Sequence, residues 1–261
     1  MIRKILAAIF GLLALFGLLV GFITYRIFRL FKKPVSPEER EKIQRTFFKT
    51  LFLLLGYVAK SDGRISETEI ALTESLMSKM GLTAEHRKEA ILLFKTGAGA
   101  DFNPDEALRQ FREDCSRSRN LTQMLLVYLI NLAIADGQLQ QAEATVLRRI
   151  AEGLGISSFA FEQILGMIQA QNSFGGGQHR YTGGGNQAPG PDQLALAYKA
   201  LGVSASASDA EVKKAWRKLM SEYHPDKLMG QGMPQDMIKE ATERSQEVQA
   251  AYDLIKKSRG R

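Results

Sequence analysis

His224-Pro225-Asp226 sits between Tyr223 and Lys227 near the C-terminal end of the chain. An imidazole and a carboxylate so close together are the ingredients of a proton-transfer site. A second constellation is acidic: Asp62 and Glu69 recur as Asp136 and Glu143. Four carboxylates converging on one point would need a hard cation or bound protons to neutralise them. Each acid also has a simpler employment. Aspartate in an Asp-Gly turn ties down its own backbone, and glutamate at a helix start meets the positive end of the dipole. No serine–histidine–acid set, phosphate loop or metalloprotease helix accompanies them. His86, beside Glu85, Arg87 and Lys88, reads as a solvated surface residue, and His179 lies in a glycine-rich stretch. The single cysteine, Cys115, excludes an internal disulfide and a zinc site of paired cysteines. It fits a reducing compartment.

The residues around His224 decide what that triplet can do. A residue before proline is pushed out of the helical region, so the helix upstream stops near Tyr223. Pro225 fixes its own φ and removes a donor. The result is a stiff corner that displays an imidazole and a carboxylate. The helix leading to it, from about Ala210 to Tyr223, opens on Ser208 with Glu211 three residues later, a capping pattern. Stepped at about 100° per residue, Val212, Ala215, Trp216, Leu219 and Tyr223 form an apolar stripe. Lys213, Lys214, Arg217 and Lys218 fall on the opposite half. A short helix, Leu194 to Ala200, precedes it. A flexible loop, Met229 to Pro234, and a last helix, Gln235 to Lys257, follow. Ile238, Ala241, Ser245, Val248, Ala251, Tyr252 and Ile255 line the inner side of that last helix. The basic helix is short and has no aromatic stacking platform, so no nucleic-acid partner is expected.

Residues 36–171 read as helix throughout, with no strand-like alternation. Helices are expected near 66–80, 84–94, 104–115, 121–134, 140–153 and 158–170, after an apolar core helix through Phe47 to Ala59. An internal repeat is visible: Ala59-x-x-Asp62-Gly63-x-Ile65-x-x-x-Glu69 returns as Ala133-x-x-Asp136-Gly137-x-Leu139-x-x-x-Glu143. It continues through Met80-Gly81-Leu82-Thr83 and Leu154-Gly155-Ile156-Ser157. Each copy is helix, Asp-Gly turn, helix and a glycine-ended terminus. Two copies packed together would bury both apolar faces.

Residues 5–25 carry no charge and, at roughly 1.5 Å per residue, make a helix of about 30 Å, the hydrocarbon thickness of a bilayer. A short tail, 1–4, precedes them. Tyr25 and then Arg26, Arg29, Lys32 and Lys33 follow, an interfacial aromatic and a stop-transfer cluster. An uncleaved single-pass anchor is expected, with the N-terminus outside and the C-terminal bulk in the cytoplasm. Gly17 and Gly21 are spaced for close helix approach and a homodimer. Residues 172–193, with two Gly-Gly-Gly runs and Pro189-Gly190-Pro191, have too few apolar side chains to fold and read as a flexible linker. The 261 residues, at a formal net charge of +7, thus divide into tail, anchor, helical domain, linker and C-terminal module.

The C-terminal pieces together resemble a J domain, over residues 194–261. The matching motifs are Tyr198-x-x-Leu201-Gly202-Val203, Asp209-x-x-Val212-Lys213-Lys214-Ala215-Trp216-Arg217-Lys218-Leu219, Tyr223-His224-Pro225-Asp226-Lys227 and Gln249-x-Ala251-Tyr252. The duplicated signature resembles the TerB-like (tellurite-resistance) helical domain. With the anchor, the whole chain is similar to membrane-anchored DnaJ-like co-chaperones of the bacterial inner membrane, all-α throughout. The resemblance implies binding to a DnaK-type heat-shock ATPase and stimulation of its hydrolysis. His224, Pro225 and Asp226 match the motif this depends on, and Lys213, Lys214, Arg217 and Lys218 match the face that meets the partner. The chain would be a regulator of a partner ATPase, not an enzyme, with no cofactor. In the TerB-like family the acids matching Asp62, Glu69, Asp136 and Glu143 are proposed metal ligands. The alternative reading is a membrane-bound sensor or scaffold whose TerB-like domain reads an ion or a protein. Trp216 stands where many J domains have tyrosine. A cysteine-rich zinc region and a C-terminal β domain are both missing, so the general folding type is not implied.

Overall fold

The computed structural model describes residues 36–115, 118–134, 139–176, 191–233 and 237–260. The anchor at 5–25, Gly17, Gly21, Asp136, His179 and the interior of the linker lie outside them. Among the described residues every regular element is a helix, and no helix is long and apolar enough to cross a membrane.

Helix α1 (Pro37–Ala59) starts with proline in its first turn and acids at its dipole end. It is the pillar of the N-terminal bundle. Helices α3 (Ala84–Gly97), α4 (Pro104–Cys115) and α5 (Arg119–Ala133) pack around it. Phe47, Leu51, Leu54 and Val58 of α1 and Phe111 of α4 are buried, with the Phe47 and Phe111 rings 6.0 Å apart. α5 is apolar on most of its surface and is buried at Leu121, through residues 124–130, and at Leu132 and Ala133, with Thr122, Gln123 and Asn131 half-buried. α1 and α3 meet backbone to backbone. A β-carbon at Gly56 would strike the Phe94 carbonyl, and one at Gly97 would strike that of Leu53. Helices α2 (Glu67–Lys79), α6 (Gln141–Gly153) and α7 (Ser158–Gly176) complete the bundle.

The repeat is visible in backbone chemistry. Ser66 accepts from the Glu69 N–H while Glu69 accepts from the Ser66 N–H at 2.8 Å. In the second copy Glu143 accepts from the Gln140 N–H, also at 2.8 Å. Both copies end in the same way. Gly81 (φ +60°) and Gly155 (φ +78°) take the left-handed cap, and the Leu82 and Ile156 N–H groups reach back to Met77 and Ala151. That is the six-to-one closure that satisfies orphan carbonyls at a helix end.

α7 carries the helix through Gly176, beyond the boundary that glycine content suggests. α8 (Pro191–Ala200) opens on Pro191. α9 (Asp209–Glu222) and α11 (Ile238–Ser258) lie against each other, and α8 braces α11. The sequence predicts a flexible loop over Met229 to Pro234 after the His224 corner; a further helix, α10 (Pro225–Gly230), takes in the first two of those residues, and Gly232 at φ +94° follows its end. The Met233 N–H bonds the Leu228 carbonyl at 2.9 Å, and both side chains are buried. Gly232 and Met233 there form a helix cap and its apolar seal. The C-terminal module is seated on the bundle, with α8 and α11 both against α7.

Candidate partner-docking site

The corner is built as proline dictates. Tyr223 ends α9, and His224 takes the extended pre-proline conformation (φ −65°, ψ 122°). Pro225 opens α10 and Asp226 falls in its acidic first turn. His224 and Asp226 are exposed, while Tyr223 and Leu228 on either side are buried as pegs. Burial raises the pKa of the Tyr223 hydroxyl. Its carbonyl accepts from the Ser245 hydroxyl at 3.2 Å, and Lys227 donates to Ser221 at 2.7 Å.

α9 behaves as its stripe demands. Val212 and Leu219 are buried, and Lys213, Lys214, Arg217 and Lys218 are exposed. Lys218 lies 3.9 Å from Glu222. At the N-terminus the Ser208–Glu211 capping box closes at 2.7 Å, and the hydrogen bonds from Ser208 lower the pKa of Glu211. The remaining motif residues hold α9 to α11. The Trp216 indole N–H donates to Gln249 at 3.0 Å, and its ring stacks on Tyr252. Arg259, a residue the sequence reading passed over, ties three segments together. It donates to the Tyr198 hydroxyl, to Asp209 and to the Ala207 carbonyl.

A second polar cluster lies behind the corner, against the bundle. Arg244, only 4% exposed at its side chain, occupies the inner stripe of α11 beside Ser245, which the sequence reading placed there. Its guanidinium donates to Glu247 at 2.9 Å, Asn131 of α5 at 2.8 Å and Asn172 of α7 at 2.5 Å, and lies 3.3 Å from Glu240. Asn131 donates to Glu240, and Asn172 to Asn131. Burial pushes the Glu247 carboxyl up to about 7 against the pull of Arg244. The cluster borders a cavity of about 650 Å³ between bundle and module, walled by Leu55, Leu72, Leu76 and Leu132. A charged residue at an apolar spacing was the signal available in the sequence for Arg244.

Of the acidic set, Asp62, Glu69 and Glu143 are described and Asp136 is not. Asp62 accepts from the Arg64 N–H in its own turn, and Glu69 and Glu143 serve at their helix starts. Among the described residues no three His, Cys, Asp or Glu side chains are grouped to hold a metal ion. Cys115 is buried and its pKa is pushed up to about 12 by that burial, so its thiol is inert.

Two family models match the chain: Tellurite resistance protein TerB over residues 48–165 and the DnaJ domain over residues 196–261. No solved structure matches. Among similar proteins, the Co-chaperone protein DjlA of Vibrio vulnificus (strain CMCP6) is 42% identical over 236 residues, covering 86% of this chain and 82% of that one. Those of Salmonella typhimurium and Escherichia coli (strain K12) are each 41% identical, covering 94% of this chain and 90% of theirs. With a TerB domain followed by a J domain and identity at this level over most of its length, the chain belongs to the DjlA co-chaperone family.

Proposed function

We propose that the chain is a membrane-anchored co-chaperone that stimulates ATP hydrolysis by a cytoplasmic DnaK-type chaperone. The observation that carries this is the pairing of an exposed, conformationally fixed His224-Pro225-Asp226 corner with the exposed row Lys213, Lys214, Arg217 and Lys218 on the helix leading to it. A basic row speeds encounter with an acidic surface, and a preformed corner then docks at little ordering cost. The hydrolysis belongs to the partner, so the chain supplies contacts and no catalytic base. Residues 5–25 hold it in the bacterial inner membrane with the N-terminus in the periplasm, and Gly17 and Gly21 support pairing of two spans.

The test is His224→Gln in the full chain, read by DnaK ATP turnover and circular dichroism. The variant should keep its helix content and lose stimulation. Stimulation at the wild-type level would overturn the reading.

A further inference from the structure

We propose that the bundle is a positioning element for the J module: the first turn of α5 grips the two carbonyls that bracket the His224-Pro225-Asp226 corner, while the Arg244 cluster clamps the module from behind. This rests on the co-chaperone reading for its consequence, though not for its geometry.

Asn120 donates from its side-chain amide to the Glu222 carbonyl at 3.2 Å, two residues before His224. Ser118 donates to the Gln231 carbonyl at 3.4 Å, just after α10 ends. Both acceptors are at helix C-termini, where carbonyls have no partner within the helix. Ser118 stands at the N-cap of α5, yet its hydroxyl makes no cap bond there. It is turned to the module instead. Asn120 is 7% exposed and Ser118 3%, so each has given up most of its water and would be left underpaired without this bond. Alongside, Gly232 fits against Ile43 of α1 so closely that a β-carbon would lie 2.9 Å from its Cγ2. Tyr128 of α5 donates to the Met237 carbonyl at 3.2 Å, and Lys79 of α2 meets Glu243 at 3.5 Å. A buried guanidinium is costly unless partners meet its donors, and in Arg244 both terminal nitrogens are met while Nε is buried without an acceptor. For Arg244 the bundle supplies two of the acceptors, Asn131 and Asn172. None of these contacts uses the side chain of His224, Asp226, Lys213, Lys214, Arg217 or Lys218. The bundle therefore fixes the direction in which the corner is offered and leaves its working face open.

The experiment uses the full chain in mild detergent, with the substitutions on the bundle side so that the module keeps its own residues. Asn120→Ala and Asn131→Ala are compared with wild type by hydrogen exchange and by titration of DnaK ATP turnover. Both should speed exchange at residues 222–233 and 237–248 about tenfold. The chain concentration for half-maximal stimulation should rise three- to tenfold at an unchanged plateau. Asn120→Gln, which keeps an amide donor, should recover most of the shift. Unchanged exchange, or faster exchange with an unmoved titration, overturns the positioning role. A wild-type chain without stimulation overturns the co-chaperone reading, while the exchange arm still decides whether the modules are docked.

Discussion

The indole of Trp216 lies flat on the ring of Tyr252, with centroids 4.6 Å apart and planes 14° from parallel. The pair locks the middle of α9 to α11, and Gln249 fixes the indole in rotation by accepting its N–H. Since Trp216 is the only tryptophan in the chain, its fluorescence reports on this junction alone. Tyr252→Ala removes the stacked partner and part of the half-buried surface, at a cost of about 2 kcal/mol. Urea unfolding followed at Trp216 should show an earlier midpoint, with the same slope.

Charge on the outer face of α9 should act through encounter. Reversing Arg217 and Lys218 to glutamate should raise the concentration for half-maximal DnaK stimulation about tenfold at low salt. The gap should narrow as salt is added, because exposed charges are screened beyond about 10 Å at 0.1 M. A defect indifferent to salt would place these residues in a structural role.

The clamp should loosen as pH rises. Glu247 is raised by burial to about 7, and it faces Arg244, Glu240 and Glu243 on its own helix, with Tyr223 on α9 and the Asn172 amide on α7 nearby. Lys79 of α2 neutralises part of the Glu243 charge. A carboxyl raised in the docked state favours docking when protonated. That contribution is full below its ordinary value of 4.5 and is lost as pH passes through about 7. Hydrogen exchange in α11, corrected for its chemical rate, should quicken between pH 6 and pH 8. In Glu247→Gln it should stay flat.

Gly97 is the most closely packed of the bundle's described glycines. Gly97→Ala drives a methyl group into the Leu53 carbonyl and forces α1 and α3 apart. A loss of about 2–3 kcal/mol is expected in denaturant titration. The nearby exposed Gly99 should tolerate the same change far better.

Much of this was legible because local chemistry and tertiary packing agree. The Ser208–Glu211 cap, the stripe through Val212 and Leu219, and the break before Pro225 all act over a few residues, and the structure keeps them. The duplicated Asp-Gly units were legible for the same reason, and Glu69 and Glu143 share a capping role at their helix starts. Residues whose partners lie far away in sequence were not. Arg244 finds Asn131 and Asn172 only after α5, α7 and α11 come together; its apolar spacing on α11 signals burial but not the partners that meet it. α10 was missed because Met229-Gly230-Gln231-Gly232-Met233 has loop composition, while its apolar seal depends on Leu228 and Met233 being covered.

Asn172, one of the clamp residues, lies one turn before the end of α7, and the chain returns at Pro191 to pack α8 on that same helix. So short a covalent path keeps module and seat at an effective concentration of about millimolar. At that value even a weak surface stays mostly closed, and a released module recaptures its seat without searching. A partner that pulls on the corner works against a spring with a set rest position, so each release resets the J domain to the same starting direction.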